Sequence, residues 1–393
     1  MPSSAITSDP KSASQRSVGW LSAAVGIVVA FASLNATGCK LNSGYSTGSS
    51  LPAGLVATIA GQSGTSGFVD GPGPAALFDK PRAVATDGAS LYIADTFNNC
   101  IRKIALATGA VSTIAGQPGV SGSQDGTGSE ALFNEPYGIA YDSSDGSLYI
   151  ADTMNYTIRK LEPATCAVTT VAGEAGQHGY ANGTGTSAKF SSPQGMAYDA
   201  NNDCLYVADT GSCTIRKVAL SGYIVTTLAG SHGVKGHDDA VGTAATFDSP
   251  SGIAVDSTGS TVYVADTSNN LIRAIIVSSA TVSTVAGSAS TAGYADGQGA
   301  AAQFNLPRNL ACDGSILIVA DSGNYTLRKI DLSTGTTSTF AGRSCCDGSA
   351  DGLGSAALLS AVSGLAISAD INNLQPCAYF VDTGNDTVRM ALL

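Results

Sequence analysis

From about residue 54 onward, Gly- and Asp-rich turn signals divide the chain into short runs in which apolar and polar positions alternate. A period of two marks strands with one face toward a core, and runs this short exclude long helices. The runs come in groups of four, and the groups repeat. One run reads Tyr92-Ile-Ala-Asp-Thr-Phe-Asn-Asn-Cys-Ile-Arg-Lys-Ile104, and it returns as Tyr149-Ile-Ala-Asp-Thr-Met-Asn-Tyr-Thr-Ile-Arg-Lys-Leu161 and Tyr206-Val-Ala-Asp-Thr-Gly-Ser-Cys-Thr-Ile-Arg-Lys-Val218. Tyr263-Val-Ala-Asp-Thr, Ile318-Val-Ala-Asp-Ser and Tyr379-Phe-Val-Asp-Thr open three more copies. The Asp residues are Asp95, Asp152, Asp209, Asp266, Asp321 and Asp382, and each is followed seven residues later by Arg102, Arg159, Arg216, Arg273, Arg328 and Arg389.

Two further elements keep the same register. Thr-x-Ala-Gly ends at Gly61, Gly116, Gly173, Gly230, Gly287 and Gly342, while Phe78, Phe133, Phe190, Phe247 and Phe304 recur before segments such as Pro136-Tyr-Gly-Ile-Ala-Tyr-Asp142, with Leu359 in the sixth place. Each period of about 57 residues therefore holds four strands: A (the Gly-Ile-Ala segment), B (Tyr-Ile-Ala-Asp), C (Ile-Arg-Lys-Ile) and D (the run ending in Thr-x-Ala-Gly). Six such units predict an all-β fold, a six-bladed β-propeller of four-stranded antiparallel blades. The first Thr-x-Ala-Gly precedes any strand A, and the chain stops soon after the sixth strand C. Residues 55–60 are thus expected to supply the missing strand D of blade six and to close the ring without an open edge.

These three motifs resemble the NHL repeat over about residues 54–393. The resemblance implies a six-bladed propeller with strand A lining the central channel. It also implies that the B–C and D–A loops share one face, the usual binding face.

Asp95 is expected opposite Arg102, with Cβ atoms about 5 Å apart on a shared strand face. Six such pairs could form a ligand ring, but a pair present in every blade serves something every blade needs, so they read as scaffold. Function belongs where blades differ. One variable position lies where strand A opens: Arg82, Tyr137, Gln194, Ser251, Arg308 and Ser363. If strand A lines the channel, these side chains surround its mouth and could hold an acidic or polyhydroxylated ligand, or form a plain solvated rim. His178, His232 and His237 fall in D–A loops and are the candidates for a divalent cation such as Ca2+ or Zn2+. Related amidating lyases and sugar-lactone hydrolases hold metals near the mouth, but neither pattern carries over residue by residue. The strand A openings contain no Glu or Asp.

Composition changes the picture in three places. With 47 Gly and only 12% charged residues in 393, the chain suits many tight turns and sheets buried on both faces. A formal charge of −11, from 19 cations against 30 acids, excludes nucleic acid as a natural partner. Six of the 19 cations are the repeated Arg, which singles out Arg82 and Arg308 among the rest. Nine Cys point to an oxidising compartment. By repeat register, Cys166 with Cys204 and Cys312 with Cys377 are expected to bridge adjacent blades, and Cys345 and Cys346 to bridge each other or pair elsewhere.

The N-terminus names a destination. A polar stretch with Lys11 and Arg16 leads into the apolar run Val18 to Leu34 and then Ala36-Thr-Gly-Cys39, which resembles a bacterial lipoprotein signal with Cys39 as the lipidated residue, although Ala36 stands where Leu is usual. A cleaved signal peptide and an uncleaved anchor stay open, and all three readings place the protein outside the cytoplasm, in the cell envelope or secreted. The expected organisation is 1–38 signal or anchor, 39–53 Ser/Gly-rich tether and 54–393 propeller. Together these features predict an exported, membrane-tethered monomer acting as a binding module for a protein, glycan or small acidic ligand. The alternatives are a metal-dependent lyase or hydrolase at the channel mouth and a purely structural envelope protein.

Overall fold

A computed structural model describes residues 52–289, 291–368 and 376–393, so the signal, tether and Cys39 readings lie outside the described residues. Residues 50–393 form one compact unit. It is a ring of six antiparallel sheets, as the repeat predicts. In blade one, strands A to D are Pro81–Thr86, Ser90–Asp95, Cys100–Ala105 and Ala110–Ala115, paired in that order. The six A strands contact one another in sequence, and Val362–Ser368 of the last blade meets Pro81–Thr86 of the first.

Closure follows the expected route. Leu55–Ala60 pairs antiparallel with Thr387–Leu392, Val56 opposite Ala391 and Thr58 opposite Arg389, and the Gly54 N–H donates to the Leu392 carbonyl at 2.7 Å. In five blades a two-residue strand from the D–A loop adds to the outer edge of strand D, as Gly71–Pro72 does on Ala110–Val111. Those blades are five-stranded rather than four-stranded. The addition covers a row of N–H and C=O groups that the four-run pattern would leave open, and two residues are too few to show alternation. Blade four (Pro250–Val255, Thr261–Asp266, Leu271–Ile276, Thr281–Gly287) keeps four strands and gains a single bridge, Val241 to Thr281.

The core lies between blades. Phe133 is fully buried in a cluster that joins Ile101 and Ala115 of blade one to Ile139, Ile150 and Leu161 of blade two. The other recurring Phe residues are equally buried, as is Leu359 in the sixth position. Strands A pack closely because some carry Gly where they face the next blade: a methyl group on Gly138 would collide with the Gln194 carbonyl oxygen, and one on Gly364 would lie 2.6 Å from the Ala83 Cα.

The expected disulfides do not form. All eight described Cys are free thiols, including Cys166, Cys204, Cys312, Cys377, Cys345 and Cys346. Cys166 packs at the seam of blades one and two, whereas Cys204 packs between blades three and four, so the sheets of blades two and three lie between the two side chains. Burial pushes the Cys204 and Cys377 thiols upward, and that of Cys100 up to about 12. The compositional argument for an oxidising compartment therefore loses its structural support, and export rests on the N-terminal sequence alone.

Candidate functional site

The repeated Asp and Arg form clamps inside each blade. Strands B and C pair Asp95 with Cys100 and Ile93 with Arg102, so the acid and the base are diagonal neighbours on one face rather than directly opposite. The four-residue turn Thr96–Asn99 sets that register. Arg102 Nη1 still reaches Asp95 Oδ2 at 2.6 Å, with both side chains fully buried. Its Nη2 holds a second acid, Asp70, at 2.7 Å, and the guanidinium lies 5.0 Å from the Phe78 ring centroid. The Asp70-Gly71 pair, read from sequence as turn chemistry, is thus the outer jaw of the clamp, and Asp70 also receives the Thr113 N–H at 3.0 Å. Asp125, Asp239, Asp296 and Asp351 do the same for Arg159, Arg273, Arg328 and Arg389. Burial pushes the inner carboxyls of Asp95, Asp152, Asp209, Asp266, Asp321 and Asp382 upward, and the guanidinium and the amide donors around each pull it back.

Blade three departs from the pattern. Asn182 replaces the outer acid, Ser212 replaces the Asn that elsewhere ties the loop to the inner Asp, and the Arg216 to Asp209 distance lengthens to 3.2 Å. His178 fills in, with Nε2 at 2.6 Å from Ser191 Oγ and the ring edge against Tyr156. This Ser/His contact was not foreseen from sequence. Ser191 is only 5% exposed and its own N–H donates to Asp209, so the contact anchors the loop rather than presenting a nucleophile. His232 stacks on Tyr180, with centroids 4.1 Å apart. The three His are not gathered with acids or thiols, and among the described residues no group of three or more His, Cys, Asp or Glu could hold a metal ion.

The six variable positions are the bulges of strand A. Pro81 pairs with Asp95 and Ala83 with Ala94, so Arg82 is the extra residue; Tyr137, Ser251, Arg308 and Ser363 are skipped in the same way, and Gln194 with Gly195 in blade three. A bulge bends the strand and re-aims its side chain. Two of the six turn into the seams: Ser251 Oγ donates to the Arg308 carbonyl at 2.8 Å and Ser363 Oγ to the Arg82 carbonyl at 3.0 Å, and both residues are buried. Gln194 stays partly exposed.

The other three converge. Tyr137 and Arg308 come from blades two and five, diametrically opposite in a ring of six, and Arg308 Nη1 lies 3.4 Å from Tyr137 Oη. The guanidinium of Arg82 lies 5.0 Å from the Tyr137 ring centroid and 5.8 Å from that of Phe97. A bar of two guanidinium groups and one phenol thus crosses the channel mouth. Among the described residues neither arginine pairs with a carboxylate, and the Arg82 side chain donates no hydrogen bond, its buried Nε included. Such unpaired donors favour an anion.

The six sheets and the motif inside them define the class: this is a six-bladed β-propeller carrying NHL repeats, and the family model described as NHL repeat matches residues 247–275. The chain is 29% identical over 295 residues to NHL repeat-containing protein 2 of Bos taurus, covering 67% of this chain and 40% of that protein. It is 30% identical over 291 residues to Protein SUPPRESSOR OF QUENCHING 1, chloroplastic, of Arabidopsis thaliana, covering 71% of this chain and 27% of that one. The chain therefore spans less than half the length of either relative. In fold it is similar to an auxiliary nutrient binding protein from Bacteroides thetaiotaomicron (TM-score 0.64, 17% identity, 86% of this chain and 76% of that one). It is also similar to a gluconolactonase from Xanthomonas campestris (TM-score 0.54, 14% identity, 86% and 89%).

Proposed function

We propose that the propeller is a binding module whose channel-mouth face captures a partner or small ligand through an anionic group. The observation that carries this reading is the pair Arg82 and Arg308. Every repeated Arg in the scaffold is spent on a carboxylate, whereas these two meet at Tyr137 without one. In a chain of net charge −11 they form a local reversal of sign at the ring axis. The donors in the described mouth are guanidinium, phenol and amide groups, which suit an anion better than a divalent cation and so favour binding over the metal-dependent lyase or hydrolase reading.

The test is isothermal titration with inorganic phosphate and acetate, and with each in the Arg308→Ala protein. Saturable binding that weakens about 10-fold or more in the variant supports the module. Absence of binding to any anion, or binding indifferent to Arg308, refutes it. Export, the second half of the proposal, rests on the n-region, apolar run and Cys39 of the N-terminus. Cell fractionation and the mass of the mature N-terminus test it, and a cytoplasmic product that retains residues 1–38 refutes it.

A further inference from the structure

The surroundings of the two arginines say more about the ligand than its charge. Phe97 lies in the B–C turn of blade one, is 46% exposed, and like the Tyr137 ring lies close to the Arg82 guanidinium. By repeat register Met154, 44% exposed, stands to Tyr137 as Phe97 stands to Arg82. The same turn position holds Gly211, Ser268, Gly323 and Gly384 in the other four blades, so large apolar side chains at this level occur only beside Arg82 and Tyr137. Leu306, 42% exposed, stands two residues before Arg308.

Phe97 and Met154 occupy neighbouring blades, and a polar residue can serve this turn, as Ser268 does in blade four. A bare, strongly hydrated anion gains nothing from them. A planar carboxylate matches the guanidinium fork, and an apolar substituent on the same molecule would cover Phe97 and Met154. Neighbouring A strands approach closely through Gly138, Gly195, Gly252 and Gly364, and the Tyr137 to Arg308 bar spans the axis, so a ligand at this end rests on the bar.

Resting on the anion-binding reading, we infer that the mouth recognises a carboxylate bearing an adjacent aromatic or aliphatic group, with the carboxylate on Arg308 and Arg82 and the apolar part over Phe97 and Met154. Such a group occurs in free arylalkanoic acids and at the C-terminus of a chain ending in an apolar residue. The shared chemistry is the inference, and the source is an arm of the test.

The probes are phenylacetate, phenylacetamide, acetate, inorganic phosphate, and a tetrapeptide ending in Phe as free acid and as C-terminal amide, titrated against the full chain and against Phe97→Ala, Arg308→Ala and Arg308→Lys. Phenylacetate or the free-acid peptide should bind about 10-fold more tightly than acetate. Phe97→Ala should erase that preference, bringing phenylacetate down to the affinity of acetate in the same variant, and Arg308→Ala should weaken every carboxylate. Arg308→Lys should recover only part of the loss, because an ammonium lacks the fork. Equal melting temperatures across the variants show that folding is not the cause. Preference for the free peptide over phenylacetate assigns a chain terminus as the source, and the reverse assigns a small acid. If acetate and phosphate bind as well as phenylacetate, or if the amides bind as well as the acids, the inference is overturned; the first of these results leaves the anion site standing, whereas loss of all anion binding removes both.

Discussion

Blade three offers a gain-of-stability experiment in which the other blades set the expectation. Replacing Asn182 with Asp would give Arg216 the second carboxylate that Arg102, Arg159, Arg273, Arg328 and Arg389 already hold at 2.7–2.8 Å. Asn182 Oδ1 already accepts from Arg216 Nη2 at 2.9 Å, so the geometry is in place and only the charge is missing. Two unit charges about 4 Å apart attract by about 1 kcal/mol in water and about 4 kcal/mol at an effective dielectric of 20. The outer acids of the other clamps are 24–52% exposed, which calls for the lower end, so we expect a gain of about 1 kcal/mol. That corresponds to a rise in melting temperature of roughly 2 °C for a domain of this size. The assay is thermal denaturation followed by circular dichroism at low salt and at 1 M NaCl, with Asp125→Asn in blade two as the reciprocal variant. Screening at high salt should remove much of both effects. A neutral or destabilising Asn182→Asp, or a gain that salt does not reduce, would refute the view that the outer acid acts through charge.

Two further outcomes follow from the ring. Deleting residues 1–62 removes Leu55–Ala60, including the fully buried Val56 and Ala60, and exposes the Thr387–Leu392 edge; the melting temperature should fall on the order of 10 °C, whereas deleting residues 1–50 should leave it unchanged. Equal values for the two truncations would contradict closure by the N-terminal strand. Thiol labelling of the native protein at pH 8 should modify the exposed Cys345 first and leave Cys100, Cys204 and Cys377 untouched until denaturant is added, because burial both shields these thiols and holds them protonated. Fast modification of the buried three would show that the seams open.

The fold was legible because three motifs recur six times in register, and only a ring satisfies a first strand D without a blade and a last blade without a strand D. The channel-mouth positions were legible as the variable residues at the opening of strand A. Which of them meet was not. Nothing local to Tyr137 and Arg308, 171 residues apart, marks them as facing each other across an axis, and nothing local to Ser251 marks a hydroxyl that bonds the next blade's backbone. The diagonal reach of Arg102 to Asp95 and the outer acid Asp70 were missed for a related reason. Strand register depends on how the Thr96–Asn99 turn closes, and Asp70 comes from a loop 32 residues upstream that folds back along strand D. The disulfide expectation failed because repeat register places residues on a common level of the ring, not on a common side of a blade.

Ring closure also sets an order of events during synthesis. Among the described strands Leu55–Ala60 leaves the ribosome first, yet its partner Thr387–Leu392 follows more than 300 residues later, after all the others. Local hairpins within blades can form as they emerge, since each strand B meets its strand C across a four-residue turn, but the first strand has no correct neighbour until Thr387–Leu392 has emerged. A chain stalled before Thr387–Leu392 emerges would carry an unpaired first strand and an unfinished sheet in blade six, two complementary edges able to pair with a second stalled chain. The interval most exposed to misassembly is therefore the one before Thr387–Leu392 emerges, and that strand acts as the latch that ends the exposure.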